Sequence, residues 1–175
     1  MMLNILKQVD LRRFERGSPE LFHFMVEAKR LAFEAMAGTF ADPAYSKIPI
    51  DTLLSDEFAK RQFSRIRPDQ VIEPQHLAVP LEGEGDTTYL TVVDGEGMMV
   101  SLIQSNYRGM GSGLVPTGLG FMLQDRGELF SLDPSHPNVY APGKRPFHTI
   151  IPAFLMKNGA PFMSFGLMGG GMQPQ

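Results

Sequence analysis

An α+β fold is predicted, helices first and strands after, on three observations. Residues 1–86 hold 11 of the 16 Lys and Arg and 14 of the 19 Asp and Glu. Apolar residues in that half recur at three- and four-residue spacing, the signature of helices with one buried face. Beyond residue 86 the chain is apolar, rich in Gly and Met, and alternates as strands do. With 43% hydrophobic and 20% charged residues, 175 residues are enough for one domain of ordinary size.

The elements follow in order. Ser18-Pro19 opens a helix, with Ser as N-cap, Pro at the first helical position and Glu20 in the first turn. Leu21, Phe24, Met25, Ala28, Leu31, Ala32 and Ala35 form its apolar stripe, and Gly38 ends it. His23 lies off the stripe centre, with no second His four residues on, so it reads as a boundary histidine and not a ligand. Ala41-Asp42-Pro43-Ala44-Tyr45 is a turn. Ser55 caps a second helix from Asp56 to about Ile66, and Pro68 stops it. Residues 69–86 carry little pattern, and Glu82-Gly83-Glu84-Gly85-Asp86 reads as a flexible acidic linker. Thr87 to Val93 and Val100 to Gln104 make a hairpin over Asp94-Gly95-Glu96-Gly97. Gly118 to Leu123 reads as a third short strand. Thr149 to Met156 and Pro161 to Gly166 make a second hairpin around Lys157-Asn158-Gly159.

The junction at Asp86–Thr87 carries the chemical possibility. A strand that opens on Thr straight after a linker can yield a nucleophile if the preceding bond is cut. The freed α-amine titrates near about 7.7–8.0 and can take the proton of its own hydroxyl. Taken alone, these residues describe first a Thr-rich strand after a linker.

Thr87-Thr88, Val92-Val93-Asp94, Gly111-Ser112-Gly113, Pro137-Asn138-Val139-Tyr140, Pro142-Gly143-Lys144-Arg145-Pro146 and Gly169-Gly170 occur in one order and spacing. Together they resemble the start of the small subunit of γ-glutamyltranspeptidases, N-terminal-nucleophile hydrolases that cut themselves before a Thr. Asn4-Ile5-Leu6, the helix around Glu27 to Phe33, Asp42-Pro43 and Leu53-Leu54-Ser55 resemble the end of that family's large subunit. The resemblance implies an αββα sandwich, incomplete here. Residues 1–86 would be the C-terminal part of a large subunit, mainly helical, and 87–175 the N-terminal part of a small subunit, mainly β. The remainder of both subunits would be partners.

The resemblance also implies roles. Asp86–Thr87 is the cleavage site and Thr87 the nucleophile. Ser105 stands where the family has a Thr that hydrogen-bonds the nucleophile, and Gly169-Gly170 supply the oxyanion hole. Glycines suit that task because their backbone can approach a ligand closely. Thr88 points to the other face of the strand and is expected to assist structure or cleavage, not attack.

The substrate positions depart from the family. Tyr107 stands at an Asn, Arg126 at a Gln or Glu, Leu129 at an Asp, and His148-Thr149 at a Ser pair. Leu129 cannot pair with an ammonium group, unless Asn106, Asp125 or Glu128 takes over. His148, Thr149 and Arg126 can donate to a carboxylate. The implied activity is a glutathione-hydrolase-type acyl hydrolase or transferase working through an acyl-Thr ester. The departures lean towards a cephalosporin- or glutaryl-acylase-like amidohydrolase. A third reading is a catalytically silent piece serving only as an interaction domain. The substrate would be a small γ-glutamyl or other acyl amide.

Other classes are disfavoured. The net charge of −3 gives no reason to expect nucleic acid or an anionic membrane. The chain has no Cys, which excludes disulfides and thiolate metal sites. No run of His, Asp and Glu has ligand spacing, so neither metal nor organic cofactor is expected. No apolar run approaches the roughly 18–20 residues of a membrane span. Met1 to Asn4 carries no signal-peptide pattern, which favours a cytoplasmic location. Few helices are expected after Thr87, so the strands should leave apolar surface exposed.

Overall fold

The computed structural model describes residues 1–73 and 85–173, without the side chains of Asp86 and Met172. The expected linker up to Glu84 lies outside the described residues. The fold mixes helix and strand and divides into two compact units, Met1–Val79 with Ser131–Arg145, and Pro80–Phe130 with Pro146–Gln175.

The first unit is helical: α1 (Met2–Leu6), α2 (Pro19–Thr39), α3 (Ile50–Leu54) and α4 (Asp56–Phe63). Both expected N-caps form, with Ser18 Oγ accepting from Leu21 N at 3.2 Å and Ser55 Oγ from Phe58 N at 3.1 Å. Each satisfies one backbone N–H that the helix start would leave unpaired. Ile5, Ala28, Leu31 and Ile66 form the core, with Leu6, Phe24, Phe63 and Ile72 packed on it.

The buried face of α2 is rotated from the expected stripe. Glu27, Phe33 and Met36 are buried while Met25 is 45% exposed. Glu27 tolerates burial because Oε2 accepts from Ile72 N at 2.7 Å and Arg30 stands 3.5 Å from Oε1. His23 sits at the boundary, its Nε2 2.6 Å from the Arg67 carbonyl. The segment 131–145 is tied to this unit by polar contacts. Buried Asp42 receives Arg145 through Nη2 at 2.7 Å, Nε at 3.1 Å and the backbone N–H at 2.9 Å. These charge-assisted bonds hold its carboxyl well below the usual carboxylate range.

The second unit holds two antiparallel hairpins, β1 (Gly85–Val93) with β2 (Met99–Arg108) and β3 (Ala153–Lys157) with β4 (Ala160–Phe165). Asn158 and Gly159 both adopt positive φ, 52° and 78°, the tight-turn geometry that an Asn-Gly pair favours. The hairpins meet through side chains: Ser101 Oγ donates to Phe165 O at 3.2 Å and Ser164 Oγ to Val100 O at 3.3 Å. The expected strand over Gly118 to Leu123 is not formed. Gly118 and Gly120 have φ of 80° and 69°, and Leu123 bonds back to Ser112 and Leu114 as a loop. Glycine at positive φ breaks the extended run that its apolar neighbours suggest. Leu90, Val92, Val100 and Leu102 are 44–56% exposed, as are Phe154, Met156 and Phe162 on the other hairpin.

Candidate functional site

β1 runs through the Asp86–Thr87 bond and is not regular there. Asp86 faces Tyr107 and Thr87 faces Ser105, so Asn106 is an extra residue on β2, a β-bulge opposite that bond. Tyr107 takes φ 82°, a left-handed conformation rare for a bulky residue. The turn redirects its N–H onto Ser105 Oγ at 2.9 Å.

Ser105 is the centre of the cluster. Thr87 Oγ1 donates to Ser105 Oγ at 2.9 Å, and Arg126 Nη2 donates to the same oxygen at 3.0 Å. Arg126 Nη1 donates to Thr149 Oγ1 at 2.5 Å. The guanidinium carbon lies 4.8 Å from the Tyr107 ring centroid, within cation–π range. Thr87 is half-buried, and Thr88 beside it faces solvent. Arg126 and Thr149 are each 1% exposed and Tyr107 4%. Burial pulls the Arg126 pKa down, with Tyr107 and Asp125 opposing. It stays a cation at neutral pH.

The structure therefore brings Thr87, Ser105, Tyr107, Arg126 and Thr149 into one hydrogen-bonded group. His148 stands at the solvent edge beside Thr149. Partial desolvation and then the Arg126 charge lower its pKa, favouring the neutral ring. Gly169 and Gly170, with φ of 145° and 55°, enter a short 3-10 turn, Gly170–Met172, that lies against β1. With its amide oriented so that nitrogen faces the Leu167 and Thr149 carbonyls, at 3.1 and 3.3 Å, the buried Gln173 side chain anchors that turn. The Asp86 side chain lies outside the described atoms.

Two candidates for an ammonium clamp are engaged elsewhere. Asp125 Oδ1 accepts from Arg108 N at 3.2 Å, and Glu128 pairs with Arg108 Nε at 2.8 Å. Leu129 adds no charge. Sequence reasoning did not foresee the bulge, the Tyr107 conformation or Gln173. Only positive φ and burial reveal them, and neither has a local sequence signal. Among the described residues, no three or more His, Cys, Asp or Glu converge as metal ligands, and no helix is long and apolar enough to cross a membrane.

The class follows from fold and site together. The chain superposes on cephalosporin acylase from Bacillus halodurans with a TM-score of 0.83 and 42% identity, over 99% of this chain and 30% of that one. The present fold, a mix of helix and strand, matches part of that acylase. The sequence pattern of gamma-glutamyltranspeptidase matches residues 1–175, and the chain belongs to that family. The glutathione hydrolase-like YwrD proenzyme of Bacillus subtilis is 39% identical, over 100% of this chain and 32% of its own length. The oxamate amidohydrolase proenzyme of Klebsiella pneumoniae is 38% identical, over 94% of this chain and 30% of its own. The chain thus spans about a third of the curated relatives it matches.

Proposed function

We propose that the full-length protein is a glutathione-hydrolase-type acyl hydrolase or transferase that cuts itself before Thr87 and works through an acyl-Thr ester. The observation that carries this reading is the 2.9 Å bond between Thr87 Oγ1 and Ser105 Oγ at the bulged start of β1. In the first step Thr87 Oγ1 attacks the Asp86 carbonyl carbon. The C–N bond to Thr87 breaks, its proton moves from the hydroxyl to the leaving nitrogen, and an ester forms. Water then hydrolyses the ester, leaving the Asp86 carboxylate and a free Thr87 amine. That amine takes the hydroxyl proton when Thr87 attacks a substrate amide and passes it to the departing amine. Water or an acceptor amine releases the acyl group. Gly169 and Gly170 would donate backbone N–H groups to the oxyanion, worth about 3–4 kcal/mol each where such donors matter most. The cut divides the chain into 1–86 and 87–175, the end of a large subunit and the start of a small one, whose remainders are the partners.

A second reading concerns the acyl group. Glu128 is paired with Arg108, Asp125 Oδ1 is turned to the Arg108 N–H, and Leu129 carries no charge, which weakens the anionic clamp that a γ-glutamyl ammonium needs. This favours an acidic acyl group without an amine, such as a glutaryl or oxalyl group. Exposed His148 is the candidate donor to its carboxylate. The names of the cephalosporin acylase and oxamate amidohydrolase relatives agree with such a range.

Intact-mass measurement of the full-length protein tests the first reading. Two fragments parting at Asp86–Thr87, lost in Thr87→Ala, are expected. A single uncut chain that still turns over amides refutes it, and an uncut, inactive chain supports an interaction role. Turnover of a γ-glutamyl anilide against glutaryl and oxalyl amides decides the second.

A further inference from the structure

We propose that Arg126 is a positioning residue for the nucleophile, acting through Ser105, and not a clamp for the substrate. The inference rests on the reading of Thr87 as nucleophile. Arg126 is 1% exposed, so its guanidinium does not face a substrate. Among the described residues it forms no ion pair. Its charge is instead held by the Ser105 and Thr149 hydroxyls and the Tyr107 ring.

The Tyr107 N–H and an Arg126 N–H both donate to Ser105 Oγ, and the Thr87 hydroxyl shares that oxygen with them. A hydroxyl oxygen has two lone pairs and one proton. The two N–H groups can only donate, so they set the direction in which Ser105 Oγ meets Thr87 Oγ1. The bulge at Asn106 and the left-handed Tyr107 supply one of these donors, and Arg126 supplies the other with a positive charge. A cation two hydrogen bonds from the Thr87 oxygen favours the negative charge that develops there during attack. The strain at Tyr107 thereby has a local purpose: it aims an amide at the hydroxyl that orients the nucleophile.

Self-cleavage separates the two roles, because it uses Thr87 but no external substrate. In the full-length protein, Arg126→Gln is expected to slow conversion to the two fragments about tenfold or more. The mature enzyme's kcat should fall similarly with KM within about twofold. In a Ser105→Ala background, Arg126→Gln should add no more than about twofold, since the route through Ser105 is already gone. Self-cleavage at the unmodified rate with a KM raised about tenfold overturns the inference in favour of a clamp. If Arg126→Gln fails to fold, Arg126→Lys keeps a cation but loses the fork that reaches Ser105 and Thr149 together; it should slow cutting less, with KM within about twofold, and cutting at the unmodified rate with a raised KM overturns the inference. Should the unmodified protein never cut itself, the nucleophile reading falls and this inference with it. Normal cutting by both the unmodified protein and Arg126→Gln overturns this inference alone.

Discussion

Replacing Ser105 with Ala removes one oxygen and strands its three partners. Two of them, the Tyr107 N–H and the Arg126 N–H, belong to residues 4% and 1% exposed. Each buried donor left without an acceptor costs about 1–3 kcal/mol, and relaxation recovers part of this. A net loss of about 2–4 kcal/mol in folding stability is expected. The Thr87 hydroxyl reaches solvent and can rotate to water, so it adds little to that loss. Its orientation is what matters for chemistry. Losing a fixed partner at the attacking oxygen is comparable to losing one oxyanion donor, about 3 kcal/mol. At about 1.4 kcal/mol per decade this is a slowing of about a hundredfold. Ser105→Thr keeps the hydroxyl and should restore most of the rate. The assay is a time course of fragment appearance by intact mass, with denaturant melts run in parallel. Ser105→Ala that cuts at the unmodified rate, in a folded protein, would refute the role given to this hydroxyl.

Two further outcomes concern stability. Asp42→Asn removes the carboxylate that Arg145 grips, so its unfolding midpoint should fall below that of the unmodified protein at neutral pH. Because the Asp42 pKa is depressed in the folded state, that advantage is fully present above about pH 4, the unfolded carboxylate value, and fades as pH drops further. Melting both proteins from neutral pH down to pH 3 checks this, and a constant gap would contradict it. Gly166→Ala would place a Cβ 2.3 to 2.8 Å from three atoms of the Tyr89 ring. That ring is pinned by its hydroxyl, 2.8 Å from Ser101 Oγ, so it cannot swing clear freely. Overpacking of this kind costs about 1–3 kcal/mol, readable as a lower denaturant midpoint.

Local chemistry was legible before the structure. Ser18 and Ser55 as caps, Pro19 at the helix start and Asn158-Gly159 in a turn each depend on a few neighbouring atoms. The pairing of β1 with β2 followed from alternation on both sides of Asp94 to Gly97. Thr87 and Ser105 were recognisable as a pair through resemblance, and the hairpin register sets them opposite each other. The strand expected at Gly118 to Leu123 failed because positive φ at two glycines leaves no periodic trace.

The residue sequence by itself determined the order of helices and strands, the capped helix starts and the hairpins, while the candidate nucleophile came from family resemblance. These arise from interactions within a turn or between adjacent strands, which composition and spacing encode. Tertiary structure alone decided which face of α2 is buried, where β2 gains its extra residue, and that Arg126 is enclosed. Enclosure depends on atoms brought from Ser105, Tyr107 and Thr149, distant in the chain, and the cost of burying a charge is offset only once those atoms have met.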